Sequence, residues 1–257
     1  MKICYLSNAA IPSSVASSIQ IVKMCEAFSK LDNEVTLITI NEFKSKINFL
    51  DYYNVKSKFF LKRIKNFKSF PLGVNYYLFS FFSVLESLRY KPEVYITRNF
   101  FTCFLLVMLR KNTVMELHHD LKIESRIVRF LVTKLKFLNS TSIKKIIAIT
   151  HGVKEDYVKK NLIQKKKIIV LHSGSSIKKN FEFLNNKKFL KIGYFGSLFQ
   201  SRGFNLIQDL AKIDKDNKYF LYGDFNKINN FKYKNPNKNI QFHKYVPYKD
   251  IPKELKK

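Results

Sequence analysis

Residues 193–207 read Gly-Tyr-Phe-Gly-Ser-Leu-Phe-Gln-Ser-Arg-Gly-Phe-Asn-Leu-Ile. An apolar run ends at Gly196, a turn carries Ser197 and Arg202, and Gly203 opens onto a segment with helical apolar spacing. A glycine at a strand end lets backbone approach a ligand closely, a nearby cation neutralises phosphate, and a helix start offers unpaired N–H groups. Strand, glycine, cation and helix start in that order describe a cradle for a diphosphate. The same glycines would also serve an ordinary strand-to-helix turn, and spacing alone does not separate the two.

Three further groups carry chemistry. His118, His119 and Asp120 follow the short run 114–117, and the end of a strand in an open α/β sheet is where such sheets bind ligands. No third ligand lies close in sequence, so no metal is expected, and His119 and Asp120 read as loop residues lining a cleft. Ser13 and Ser14 precede a helical segment as small residues that permit close approach. Within residues 56–70, Lys56, Lys58, Lys62, Arg63 and Lys65 alternate with Phe59, Phe60, Ile64 and Phe67. That pattern fits either an anionic membrane surface or a solvated basic face over buried aromatics.

The elements that must position these residues are legible as periodicity. Short apolar runs at 2–6, 35–40, 94–97, 114–117 and 146–149 alternate with helical spacing such as Ile19, Val22, Ala27 and Leu31, or Ile127, Phe130, Leu131 and Leu135. Continuous apolar strands separated by amphipathic helices require a parallel sheet covered on both faces. The longer apolar stretches 76–88 and 100–109 read as buried helices, too short to span a bilayer. Periodicity lapses over 172–188 and restarts at 190, which predicts a first Rossmann-like domain over 1–187 and a second over 188–257. Strands at 190–195, 219–222 and 240–242, a helix at 204–213 and a final helix from 249 fill the second. The polar tract 226–239 reads as an exposed loop.

The chain has 257 residues, 46% of them apolar, with 47 Lys plus Arg against 19 Asp plus Glu and a net charge of +28. A field of that sign attracts nucleic acid, anionic lipid or phosphorylated ligands. The abundance of Lys, Asn, Ile and Phe beside 7 glycines and no tryptophan also fits a nucleotide bias toward A and T. No nucleic-acid-binding motif accompanies the charge. Cys4, Cys25 and Cys103 are too scattered for a zinc site or redox pair, which fits a reduced, cytosolic protein without an export signal.

Gly-Ser-Leu-x-x-x-Arg-Gly before an apolar helix resembles the donor loop of glycosyltransferase family 4, the retaining, nucleotide-sugar-dependent enzymes of GT-B fold. Residues 7–12, 23–28 and 34–39 are similar to that family's first strand, helix and second strand. Glu116-Leu117-His118 matches its acidic-x-His strand end, residues 148–154 its last N-domain strand and helix, and 170–174 its linker entry. The resemblance implies donor-diphosphate contacts from Gly196, Ser197, Arg202 and Gly203, with Arg202 where the family usually has Lys and Ser197 where Arg is common. It implies catalytic roles for His118 and Arg202, a cleft-lining acceptor side at Ser13, Ser14 and His119, and a nucleotide-sugar co-substrate with no metal.

The family's paired-glutamate motif has no counterpart before Lys257, so the second domain is expected to be incomplete. The expected function is transfer of a sugar to a polysaccharide or lipid-linked acceptor in cell-surface glycan synthesis, as in lipopolysaccharide. The expected place is the cytoplasm, peripheral to the inner face of the membrane. The alternatives are a non-catalytic fragment or paralogue that binds acceptor or membrane, a basic nucleic-acid-binding protein, and a nucleotide-sugar epimerase of the same architecture.

Overall fold

The computed structural model describes residues 1–41, 48–66, 70–174, 189–196, 203–223 and 237–255. The chain divides into two compact units, Met1–Ser175 and Ser176–Lys257. Residues 175–188, where the sequence places the boundary, lie outside the described residues.

The first unit is a seven-stranded sheet. Its strands are β1 (Lys2–Ala10), β2 (Glu34–Asn41), β3 (Phe60–Lys65), β4 (Val94–Thr97), β5 (Thr113–Leu117), β6 (Ile143–Ala148) and β7 (Ile168–Val170). They lie in the order β3-β2-β1-β4-β5-β6-β7, and every pair is parallel. The helices are α1 (Ala16–Ser29), the single turn α2 (Phe49–Tyr52), α3 (Leu72–Leu88), α4 (Phe100–Met108), α5 (Arg126–Thr133) and α6 (His151–Lys159). The second unit holds β8 (Lys191–Phe195), α7 (Phe204–Ile213), β9 (Lys218–Tyr222), β10 (Ile240–His243) and the turn α8 (Ile251–Glu254), with a parallel sheet ordered β10-β9-β8.

The two-residue period of β1 shows why its run from Ile3 to Leu6 is apolar throughout. Ile3 and Tyr5 join Ile21, Val22 and Cys25 of α1 on one face, whereas Cys4 and Leu6 join Val84 of α3 and Leu106 of α4 on the other. Both faces are covered, so neither can be polar. All three cysteine thiols are buried, and burial raises the pKa of each, which leaves them protonated and unreactive.

Two elements differ from the sequence expectation. The expectation that 76–88 is a buried helix is corrected, because α3 covers the sheet with one face only. It buries Phe79, Ser80, Ser83, Val84 and Ser87 but leaves Phe81, Phe82 and Leu85 at 49%, 39% and 46% exposure. The buried face carries the serines, whose hydroxyls donate to the helix's own carbonyls at Tyr76, Ser80 and Val84, so polarity along α3 does not report its inner side. The basic segment around Lys62 forms edge strand β3, where charge suits an unpaired edge.

In the second unit, Asn239 Nδ2 donates to the carbonyls of Ala211 and Asp214 at 3.0 and 2.8 Å and so caps the end of α7. Buried Asn237 donates to Gln208 O. The end of the tract read as an exposed loop is therefore built into the fold, while residues 224–236 lie outside the described residues. Among the described residues no helix is long and apolar enough to cross a membrane.

Glu26 fastens α1 to the segment entering β3. Its carboxylate accepts from Lys23 Nζ at 2.8 Å, from the Lys56 backbone N–H at 2.9 Å and from Lys30 Nζ at 3.1 Å. Burial alone would raise its pKa; the bonds from Lys23, Lys56 and Lys30 outweigh burial and hold it at about 2, against an ordinary 4.5. A depressed carboxylate contributes stability that is complete above its unfolded pKa and lost as pH falls toward the folded one. Glu26→Gln is therefore expected to lower the denaturation midpoint at pH 7, with the difference from wild type closing between pH 4.5 and about 2.

Candidate active site at the C-terminal edge of the first sheet

Chain order reverses direction between β1 and β4, which makes their junction the switch point where open α/β sheets bind ligands. The two strands pair as far as Leu6 and Thr97, and there the Thr97 hydroxyl donates to Leu6 O at 3.0 Å. Beyond it the chain leaving β1 runs on to Ser13 and Ser14, while Arg98 follows the end of β4 and His118 the end of the neighbouring β5.

One carboxylate oxygen organises this edge. Glu116 is 4% exposed, and its Oε2 accepts from the Tyr5 hydroxyl at 2.9 Å. His118 Nε2 lies 3.2 Å from the same atom and Arg98 Nε 4.0 Å. Burial, and then the adjacent Glu116 carboxylate, hold the Tyr5 phenol well above its ordinary pKa, so it keeps its proton and donates. A neutral His118 ring that donates its Nε2–H to this carboxylate presents Nδ1 as an acceptor. The strand-end histidine is thus fixed by a side chain rather than by backbone.

His119 turns elsewhere. Its Nε2 lies 3.4 Å from Glu124 Oε1 and its Nδ1 3.2 Å from Asp120 O. Asp120 receives Lys160 Nζ on both oxygens, at 3.1 and 3.0 Å. The Lys122 backbone N–H first, and Lys160 next, lower the Asp120 pKa. Among the described residues no group of three or more His, Cys, Asp or Glu is arranged to hold a metal.

Ser13 is gripped by Tyr53, whose hydroxyl accepts from Ser13 N at 2.6 Å and donates to Ser13 O at 2.7 Å. The Ser13 hydroxyl accepts from Val15 N, and Ser14 is exposed. Val15, at the start of α1, supplies no side-chain cap; its carbonyl takes the N–H groups of Ser18 and Ile19, which leaves those of Ala16 and Ser17 for an anion at the same sheet edge. Arg63 Nε donates to Ile11 O at 3.1 Å, holding the loop from the β3 side.

In the second unit, Gly196 directly follows β8 and donates its N–H to Tyr222 O at 3.1 Å. A Cβ there would meet Tyr194 Oη at 3.2 Å, and Gly203 enters α7 at φ +81. Packing against Tyr194 accounts for the first glycine and left-handed backbone for the second, and α7 starts without a side-chain cap. Ser197 and Arg202 lie outside the described residues. Three strand-end rings stack in register, Phe195 on Tyr222 at 4.4 Å and Tyr222 on His243 at 4.7 Å.

Tyr5 and Arg98 are the site residues that sequence reasoning missed. Tyr5 looks like any strand aromatic, and the only local signal for Arg98 is a lone cation directly after the apolar run of β4.

No family model matches the chain, and no curated protein matches it. Solved structures do. HepE from Anabaena, in complex with UDP-glucose, superimposes with a TM-score of 0.66 at 15% identity over 99% of this chain and 71% of its own. The lipopolysaccharide outer core galactosyltransferase WaaB matches with a TM-score of 0.61 at 17% identity, over 100% of this chain and 72% of its own. A Listeria monocytogenes protein described as a UDP-N-acetylglucosamine 2-epimerase matches with a TM-score of 0.55 at 10% identity, over 97% and 70%. These likenesses establish an α/β fold of GT-B type with Rossmann-like units.

Tyr5→Phe removes a buried donor from Glu116 and is expected to cost about 1–3 kcal/mol of stability, read by urea denaturation. Combined with Glu116→Gln it should cost less than the sum of the single changes, because both act on one bond.

Proposed function

We propose that the chain is a glycosyltransferase that moves a sugar from a nucleoside-diphosphate sugar to a polysaccharide or lipid-linked acceptor in cell-surface glycan synthesis, by the retaining route of family 4. The observation that carries this reading is His118, fixed by Glu116 at the end of the strand next to the switch point, in a fold that HepE shares while holding UDP-glucose. His118 Nδ1 takes a hydroxyl of the transferred sugar, and Ser13, Ser14 and His119 line the acceptor side. Arg202, Ser197 and the backbone at Gly196 and Gly203 take the diphosphate. Negative charge grows on that diphosphate as the sugar–oxygen bond breaks, so fixed cations and helix-start amides there lower the barrier. Arg202 forks onto phosphate where a lysine would meet it as a point charge. The proposal gives this role to Arg202 and the amides and requires no metal. It sets the work in the cytoplasm, at the inner face of the membrane.

Calorimetric titration with UDP- and GDP-sugars is the direct test. Wild type is expected to bind one of them, and Arg202→Ala to weaken it about tenfold or more, as loss of a charged hydrogen bond does. His118→Ala should weaken donor binding by about tenfold or less, as loss of one neutral hydrogen bond does, and lower transfer by about a hundredfold, with EDTA leaving the wild-type rate unchanged. Product analysis separates the epimerase alternative: an inverted nucleotide-sugar without a glycosylated acceptor would overturn the reading.

A further inference from the structure

The 3-10 turn Leu121–Ile123, helix α5 and the residues just after it expose large apolar and cationic side chains side by side. Ile123, Ile127, Phe130 and Leu135 are 74%, 54%, 56% and 54% exposed. Between them Arg126, Arg129, Lys134 and Lys136 are also exposed, and none has an ion-pair partner among the described residues. The single carboxylate in residues 121–136 is Glu124, half-buried and turned to His119. Among the described residues no carboxylate therefore pairs with the cations of this face.

These apolar side chains are not core residues caught at the surface. α5 is already seated by Val128, Leu131 and Val132, all buried. Ser125 caps its start by accepting from Val128 N, and Tyr77 of α3 bonds the same hydroxyl at 2.7 Å. The outward face is fixed in place and, among the described residues of its own unit, has no partner.

Cations alone would suit a nucleic acid, which uses charge together with flat rings for stacking. Three of the four apolar residues here are aliphatic, with nothing to stack. A bilayer of anionic lipid takes both classes at once, headgroups meeting the guanidinium and ammonium groups and the acyl boundary receiving Ile, Leu and Phe.

We propose that the outer face of α5 with its flanking turns docks the protein on an anionic lipid surface. This deepens the reading of a lipid-linked acceptor and rests on it only for what that surface presents. The patch begins at Lys122, four residues beyond His118. The segment that sequence alone suggested for a membrane is less suited, because Lys62 pairs with Glu86 at 3.3 Å and Arg63 holds Ile11 O.

The test is co-sedimentation of the full chain with phosphatidylcholine vesicles, with and without phosphatidylglycerol. The wild type is expected to bind only the anionic vesicles and to be released by salt. Arg126→Gln/Arg129→Gln should weaken binding about tenfold or more, given about fivefold per cation near an anionic surface. Ile127→Ser/Phe130→Ser should weaken it comparably, whereas Lys58→Gln/Lys65→Gln on the β3 side should not. All six positions are exposed, and circular dichroism confirms that each variant is folded. Vesicle binding untouched by both α5 variants overturns the proposal. So does a DNA duplex that competes off the vesicles and whose own binding needs only the arginines. UDP-glucose titrated into the same proteins separates the two readings: vesicle binding without any donor binding would sink the transferase reading and leave this one standing.

Discussion

A buried carboxylate at the edge of a parallel sheet is costly unless its lone pairs are met. Glu116 is the residue on which the first unit's site depends. Its Oε2 draws the Tyr5 hydroxyl from β1, the Arg98 guanidinium from the end of β4 and the His118 ring from the end of β5. Those groups can meet only if β1, β4 and β5 are neighbours, and the sheet order makes them so. The same order sets the strand reversal at β1 and β4, so the interaction that satisfies Glu116 also aims His118 at the place where the fold accepts ligands.

Much of this was legible in the sequence, for a physical reason. Strands covered on both faces must be apolar throughout, so β1, β2, β4, β5 and β6 stand out as runs. β3 escaped because an edge strand carries charge, and Lys62 and Arg63 look like a solvated segment until Glu86 and Ile11 are beside them. β7 has three residues, too few to show a period. α3 misled because its serines satisfy themselves against their own helix and go inward, leaving Phe81 and Phe82 outside.

The site was legible in part. His118 and its neighbour Glu116 lie two positions apart on one strand, a local pattern, whereas Tyr5 is 111 residues from Glu116 and carries no signature of its partner. The glycines of the second unit teach the opposite lesson. Gly203 has positive φ and Gly196 has the Tyr194 ring against it, so the former has a conformational and the latter a packing reason to be glycine before any ligand is considered. What distinguishes the loop chemically is the cation Arg202, next in sequence to Gly203 at the uncapped start of α7.

If Glu116 holds His118 ready for a sugar carried by a nucleotide, the imidazole nitrogens must register it. Nitrogen NMR, with His118 assigned by its loss in His118→Gln, should find the His118 ring protonated at Nε2 in the free protein, with an Nδ1 signal that moves when UDP-glucose or the preferred nucleotide-sugar is added. A ring protonated at Nδ1, or one whose signals ignore a nucleotide-sugar that demonstrably binds, would contradict it.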